Sequence, residues 1–441
     1  MTRTGVGIVH IGVGGFHRAH EALYVDELME RGRGDGWGIC GVGVMPGDAA
    51  MRDVLKAQDG LYTLVVKHPD GSVNPRVVGS IVDFLFAPDD PEGVLAVMTA
   101  ATTRIVSMTI TEGGYANPGP AFDFVVEALR RRRAAGVEPF TVMSCDNLPG
   151  NGRVAREAFT SYAAATDAEL AAWITSHVAF PDSMVDRITP VTTDEDRALV
   201  RTLGYDDAWP VVCEEFRQWV LEDDFPAGRP PFEEVGVQMV TDVEPFELMK
   251  LRLLNASHQA LAYAGHLLGH RLVHDAASDP DLARLVEGYM AHEGTPTLPP
   301  VPDTDLDAYR RTLMQRFASP AVADTIARLC ADSSNRIPTW LVPVIRANLA
   351  TGRDVHRSAF VVACWARYAQ GVDEQGAAIE VVDDNRDAVM AAAASPDPLG
   401  FIRQQKHFGD LAADERFAAA YLEARAAIGR DGVRAALQKL T

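Results

Sequence analysis

The feature that most limits how this chain can fold is a change of periodicity near Asp242. Before it, short runs rich in Val and Ile alternate with amphipathic helical patterns; after it, helical patterns continue alone. Residues 6–13, 37–44, 105–110 and 140–144 read as buried strands, and residues 17–31 and 122–133 carry helical periods. Such alternation implies a mostly parallel sheet covered on both faces. Residues 62–67 and 76–86, with Pro69, Asp70 and Gly71 between them, alternate more like antiparallel strands. From Glu244 onward, residues 246–274, 280–292, 306–318, 321–330, 339–349, 357–370 and 411–428 read as helices. Proline-rich linkers at 295–302 and 396–398 separate some of them. A chain of 441 residues is long for one core, so we expect an α/β domain over 1–241 and an α-helical domain over 242–441.

Composition narrows the function classes. A formal charge of −20 argues against nucleic acid and against anionic membrane surfaces. No apolar run approaches the roughly 20 residues needed to span a bilayer. The apolar stretch near the N-terminus is short and Gly-rich, and reads as a buried strand, not a signal peptide. Five scattered cysteines without a CxxC spacing fit reduced thiols, a cytoplasmic location and no zinc ribbon.

The first strand runs into Gly12-Val13-Gly14-Gly15-Phe16-His17. A strand, a Gly-rich turn and a helix can bind a pyrophosphate, because glycines let the backbone approach and the helix N-terminus offers free N–H groups. The match to G-x-G-x-x-G is imperfect, since His17 stands at the third position. Asp48, just past the second strand, could accept hydrogen bonds from ribose hydroxyls and repel a 2′-phosphate, favouring NAD over NADP. It could equally cap the helix that follows, and the two roles are compatible.

A second constellation lies in Lys250 to His258, K-L-R-L-L-N-A-S-H. On a helix of about 100° per residue, Asn255 stands roughly 140° from Lys250 and His258 roughly 80°. All three can therefore look out of one side and serve a carbonyl or alcohol as base, donor and orienting group. Taken alone, a Lys, an Asn and a His on one helix are ordinarily solvated or capping residues.

Further along the same stretch, His266, His270 and His274 recur at metal-ligand spacing, but without a HExxH carboxylate or a third-ligand motif they read as surface or interface histidines. The basic run 130–133 reads as a solvated helix end, and Trp219 as a core aromatic.

With these segments in hand, the chain resembles the mannitol dehydrogenase family of long-chain, polyol-specific dehydrogenases. The resemblance rests on GVGGFHRAH from Gly12, ICGVGV followed by Asp48, TITEGGY from Thr109 and SCDNLPGNG from Ser144. FPDSMVDRITP from Phe180, FRQWVLEDDFPAGRPP from Phe216, KLRLLNASH from Lys250 and GVDEQG from Gly371 complete it. These occur in order over nearly the whole chain.

The resemblance implies a Rossmann-type N-terminal domain, a mainly α-helical C-terminal domain, an active site between them, NAD as cofactor and a metal-independent mechanism. Gly12, Gly14, Gly15, Phe16 and Asp48 match the cofactor-binding positions. Lys250 matches the general base, Asn147 and Asn255 the pair that hold the substrate oxygen, and His258 the residue that positions it. Glu247 matches a carboxylate that moves protons between base and solvent, while Asp186, Arg328 and Arg336 fall at substrate-binding or supporting positions. Three departures stand out. Arg336 replaces a lysine common among relatives, Gly47 stands where some carry a second acid, and the loop from Tyr115 to Pro118 is short.

Oxidising a secondary alcohol removes a proton from oxygen as hydride leaves carbon. A free lysine, with a pKa of about 10.4, becomes a usable base when desolvated or placed near a cation. The pH optimum for oxidation should then lie well above that for reduction. The expected activity is NAD-dependent interconversion of a sugar alcohol of mannitol, arabinitol or sorbitol type with its ketose, by a monomer or small homo-oligomer. The alternative within the family is a fructuronate reductase, with Arg328 or Arg336 turned to the substrate carboxylate. A nucleotide-binding sensor without turnover is the reading from another class.

Overall fold

The computed structural model describes residues 4–321 and 323–440. It divides into two compact units, Met1–Glu244 and Pro245–Thr441.

The first unit is built on a five-stranded parallel sheet. Its strands are β1 (Val6–Ile11), β2 (Gly38–Gly43), β5 (Ile81–Phe86), β6 (Ile105–Met108) and β7 (Thr141–Ser144), in the order β5-β2-β1-β6-β7. Successive side chains point to opposite faces, and both faces are apolar. Ile8, Ile39, Ile105 and Met143 join one buried cluster. Val9, Cys40, Val106 and Val142 join another on the opposite face. A sheet buried on both sides is what near-continuous Val/Ile runs require.

Two small sheets complete this unit. β3 (Tyr62–Lys67) pairs antiparallel with β4 (Val73–Val78) and parallel with β9 (Val211–Glu214). β10 (Gln218–Glu222) lies between β8 (Ser183–Asp186) and β11 (Gln238–Val240). The antiparallel reading of 62–86 is therefore half right. β4 ends at Val78, and Ile81–Phe86 pairs parallel with β2 at the edge of the main sheet. The helix expected over 17–31 is also divided, into Gly15–Ala19 and Glu21–Glu30, because His20 leaves helical geometry at φ −123° and ψ −97°.

The second unit is helical, and its described residues form isolated bridges but no named strand. The long helix expected over 246–274 is three pieces. Glu244–Met249 is α-helical, Lys250–Asn255 is π-helical and Ala256–Leu267 is α-helical again. Gly269, at φ +93°, then ends the run, and Val273–Ser278 is a separate short helix. The helix expected over 321–330 is Ile326–Cys330, and residue 322 lies outside the described residues. Helix His356–Tyr368 packs against Glu415–Leu440, which kinks at Gly432, and against Ala256–Leu267. Among the described residues, no helix is long and apolar enough to cross a membrane. All five cysteines are free and buried.

Candidate active site

In the first unit, the strand order reverses between β1 and β6, which is where doubly wound sheets bind ligands at their C-terminal edge. The Gly12–Gly15 turn stands at that point. Gly12 adopts φ +93°, and a Cβ there would lie 2.2 Å from the carbonyl oxygen of Thr109. Glycine is therefore required by both conformation and space. A Cβ on Gly14 would meet only the Gly12 carbonyl, at 3.9 Å, so the turn leaves room above it. Thr109 closes the turn from β6, its hydroxyl donating to the Gly12 carbonyl at 2.7 Å. Phe16 stacks on His20 with ring centroids 4.9 Å apart. A pyrophosphate fits this turn: the backbone is open, and the polypeptide then enters a helix.

Asp48 follows β2 in a 3-10 turn, Pro46–Asp48. Its Oδ2 accepts from the N–H groups of Val44 (2.9 Å) and Met45 (2.8 Å), so the carboxylate is tied back toward the strand end. It makes no capping bond to the helix Ala49–Ala57, which removes the simple capping role. Gly43 makes this fold-back possible, since a Cβ there would lie 2.6 Å from that of Asp48.

After β7, Asp146 and Asn151 organise the edge that carries Asn147. Asp146 accepts from Thr111 N (2.8 Å), Ile110 N (3.2 Å) and the Tyr115 hydroxyl (2.8 Å). It thereby fixes the turn at Thr111, whose φ is +64°. Burial pushes its carboxyl up from the usual range, against these hydrogen bonds. Asn151 donates to the carbonyls of Asp146 (3.0 Å) and Ser183 (2.8 Å), latching β7 to β8. Asp182 accepts from Gly152 N at 2.6 Å and caps the helix Asn151–Ala164 from outside. Asn147 itself is exposed, and Asp186 is buried at the end of β8. Asp146, Asn151 and Asp182 lie in the motif segments but were not singled out from sequence.

In the second unit, the π-helical turn changes the geometry expected for Lys250, Asn255 and His258. With i→i+5 hydrogen bonding and about 4.4 residues per turn, five steps leave roughly 50° between Lys250 and Asn255, in place of about 140°. His258, three α-helical residues further on, returns to the same stripe, and Glu247 lies one turn before Lys250. Lys250 and His258 are each 9% exposed and Asn255 is 6% exposed. The Asn255 Oδ1 is buried without a hydrogen-bond partner among the described residues. A buried orphan acceptor in a native protein calls for a ligand or a strain reservoir. His258 rests against Phe317, ring centroids 4.7 Å apart.

The π turn is held from behind. The buried Tyr289 hydroxyl donates to the Arg252 carbonyl at 3.0 Å, and Arg252 reaches the Thr297 carbonyl. A second π turn, Met290–Gly294, packs on the first, and a Cβ on Gly294 would lie 2.8 Å from Leu253 Cδ2. Widened turns of this kind cluster at functional sites.

The two arginines are committed to neighbours. Arg328, 57% exposed, pairs with Asp324, its Nε donating at 2.6 Å. Arg336 donates to the carbonyls of Arg328 (2.9 Å) and Leu329 (3.2 Å) and lies over the Trp340 ring.

Other readings are settled locally. Trp219 is fully buried in the core. The histidine stripe is broken: Gly269 ends the helix after His266, His270 faces Asp279 and His274 sits in the next helix. Arg132 corrects the reading of the basic run, because it is buried and donates to the carbonyls of Glu138, Met98, Ala100 and Thr103. Arg131 does stand at the surface, paired with Glu92 and Glu127.

Sheet order, glycine turn and strand-end carboxylate together define a Rossmann-type nucleotide-binding unit, followed in the chain by an all-helical one. The chain belongs to the mannitol dehydrogenase family of oxidoreductases. The family's Rossmann-domain model matches residues 6–234 and its C-terminal-domain model residues 242–428. A mannitol 2-dehydrogenase of Cereibacter sphaeroides is 44% identical over 457 residues, covering 98% of this chain and 96% of that protein. A solved structure of Pseudomonas fluorescens mannitol 2-dehydrogenase, a ternary complex with NAD and D-mannitol, matches with TM-score 0.87 and 44% identity, covering 99% of this chain and 94% of that one. A D-sorbitol dehydrogenase in substrate-free form matches with TM-score 0.93 and 39% identity over 98% of this chain and 95% of that one.

Proposed function

We propose that the protein is an NAD-dependent polyol 2-dehydrogenase that interconverts a mannitol-, arabinitol- or sorbitol-type alcohol with its ketose. The observation that carries this reading is the π turn, which lines Lys250, Asn255 and His258 along one stripe with a buried, unpartnered amide oxygen among them. The Gly12–Gly15 turn holds the cofactor pyrophosphate and Asp48 the adenosine ribose, with Gly14, Gly15 and Phe16 shaping the approach. The nicotinamide, when bound, supplies the hydride acceptor. Lys250 removes the hydroxyl proton. Asn255 and Asn147 donate to the developing alkoxide, and His258 orients that oxygen. Glu247 passes the proton onward. Residues 1–241 thus serve the cofactor and lend Asn147 and Asp186 to the substrate, while 242–441 supply the base and the groups beside it.

The arginines support a neutral substrate over a hexuronate. Arg328 already neutralises Asp324, and Arg336 is spent on backbone carbonyls. Asp186 is assigned to substrate hydroxyls, and Arg328 and Arg336 to supporting the site.

Purified protein assayed for NADH oxidation with fructose, xylulose, ribulose and fructuronate, each repeated with NADPH, tests the proposal. Fast turnover of a neutral ketose with NADH is expected. Turnover of fructuronate alone would move the protein to the uronate branch.

A further inference from the structure

The widened turn that carries Lys250 and Asn255 is not what its own residues prefer. Lys, Leu and Arg are good formers of ordinary α-helix, and Lys250 to Asn255 contains neither Gly nor Pro. Yet the Ala256 N–H bonds to the Leu251 carbonyl, an i→i+5 step that spends one residue more than an α turn. Something outside the segment must impose it.

Two features of one neighbouring segment meet it at a single atom, the Arg252 carbonyl oxygen. Tyr289 is fully buried, and its hydroxyl donates to that oxygen at 3.0 Å. Gly294 has φ −73° and ψ −62°, so its backbone does not call for glycine. Space does, because a Cβ there would lie 3.2 Å from the same carbonyl oxygen and 2.8 Å from Leu253 Cδ2. Arg252 stands between Lys250 and Asn255, so the hydroxyl and the bare backbone both act inside the reactive stretch.

The neighbouring segment is itself anchored. Met290–Gly294 is a π turn in which the Thr295 N–H bonds to the Met290 carbonyl, and the Thr295 hydroxyl adds a bond at 2.7 Å. Glu293 is fully buried and clamps this turn to the start of His356–Tyr368. Its carboxylate accepts from the N–H groups of Arg357 (2.8 Å) and Ser358 (2.9 Å) and from the Ser358 hydroxyl. Asn348 donates to the Glu293 carbonyl at 2.9 Å. Buried hydrogen-bond networks of this kind rigidify what they join. A support fixed at so many points can dictate the form of the turn packed on it.

We propose that Tyr289 and Gly294 are positioning residues for the reaction, which hold Lys250–Asn255 in its π form and so set the base against the amide beside it. The inference deepens the polyol dehydrogenase reading of that site and rests on it. Relaxed to an ordinary α turn, the segment would carry Asn255 about 90° further around the axis from Lys250. The two side chains would then no longer address one substrate oxygen together. Misplacing a reacting group by about 1 Å can cost on the order of 10² in rate.

The test is Tyr289→Phe in the full-length protein, which removes one hydroxyl and keeps the ring. With the neutral ketose that the wild type reduces fastest, kcat should fall about tenfold, while the Kd of NADH stays within about twofold of wild type. Hydrogen exchange followed by mass spectrometry should quicken in residues 250–258 and stay unchanged in 260–267. A merely structural hydroxyl would lower the melting temperature and leave the kcat of the folded protein unmoved. A kcat within about twofold of wild type would therefore overturn the proposal, as would unaltered exchange in 250–258. Gly294→Ala removes no hydrogen bond and acts through space alone, and should lower kcat by a similar factor. If Tyr289→Phe does not fold, wild-type kcat in Gly294→Ala overturns the proposal. A wild type that reduces no ketose would instead refute the dehydrogenase reading, and exchange in residues 250–258 would still decide whether Tyr289 holds the turn.

Discussion

Replacing Asn255 with alanine separates the chemical role of the π turn from its structural one. Asn255 is 6% exposed, and its Oδ1 makes no hydrogen bond among the described residues. Truncation therefore breaks no protein hydrogen bond at that oxygen and removes an unsatisfied acceptor whose burial costs about 1–3 kcal/mol. This relief offsets lost packing around a small side chain, so net stability should change little. The melting temperature should stay within about 2 °C of wild type. Turnover should behave differently. If the amide donates to the developing alkoxide, losing it should cost on the order of 10²–10³ in kcat, or about 2.7–4 kcal/mol of barrier. The assay is NADH oxidation with saturating fructose beside a thermal melt of the same sample. Turnover within tenfold of wild type, or a melting temperature lowered by more than about 5 °C, would refute the reasoning.

Three further outcomes follow from the first unit. Asp48→Asn keeps an acceptor for the Val44 and Met45 amides but removes the charge. The ratio of kcat/KM for NADPH to that for NADH should rise about tenfold, and an unchanged ratio would remove Asp48 from cofactor choice. Gly12→Ala meets both φ +93° and a carbonyl oxygen 2.2 Å from the new Cβ. It should destabilise the turn by about 1–3 kcal/mol and weaken NADH binding, as isothermal titration would show. Burial lowers His17 from 6.5 to about 4 and His20 to about 3. The unfolded chain then binds more protons below pH 6.5, so their contribution to stability is complete above that pH and is lost as pH falls through about 4 and then 3. Melting temperature should fall from pH 6.5 to 4, and less steeply in His20→Gln.

How much was legible in sequence depended on whether the signal was local. The parallel sheet was readable because Ile8, Val9, Ile39 and Val106 fill both faces of their strands. The turn at Gly12 was readable because a buried strand runs straight into Gly12, Gly14 and Gly15, although such a turn can also be only a turn. The π turn was not, because Lys250 to Asn255 contains no breaker, and its widened form is supported by Tyr289 and Gly294, distant in sequence. Arg132 was lost among four consecutive arginines, although its burial depends on carbonyls that only the fold brings together. Gly269 left a signal that could have been used, a glycine in the middle of a supposed long helix.

The most direct test of the central claim is Lys250→Ala assayed with fructose and NADH, with NADH affinity measured on the same preparation. The account predicts a wild type that turns over, and a variant slowed on the order of 10³-fold or more whose NADH affinity stays close to wild type. A variant that retains turnover within tenfold, or a wild type that binds NADH and reduces no neutral ketose, would contradict it.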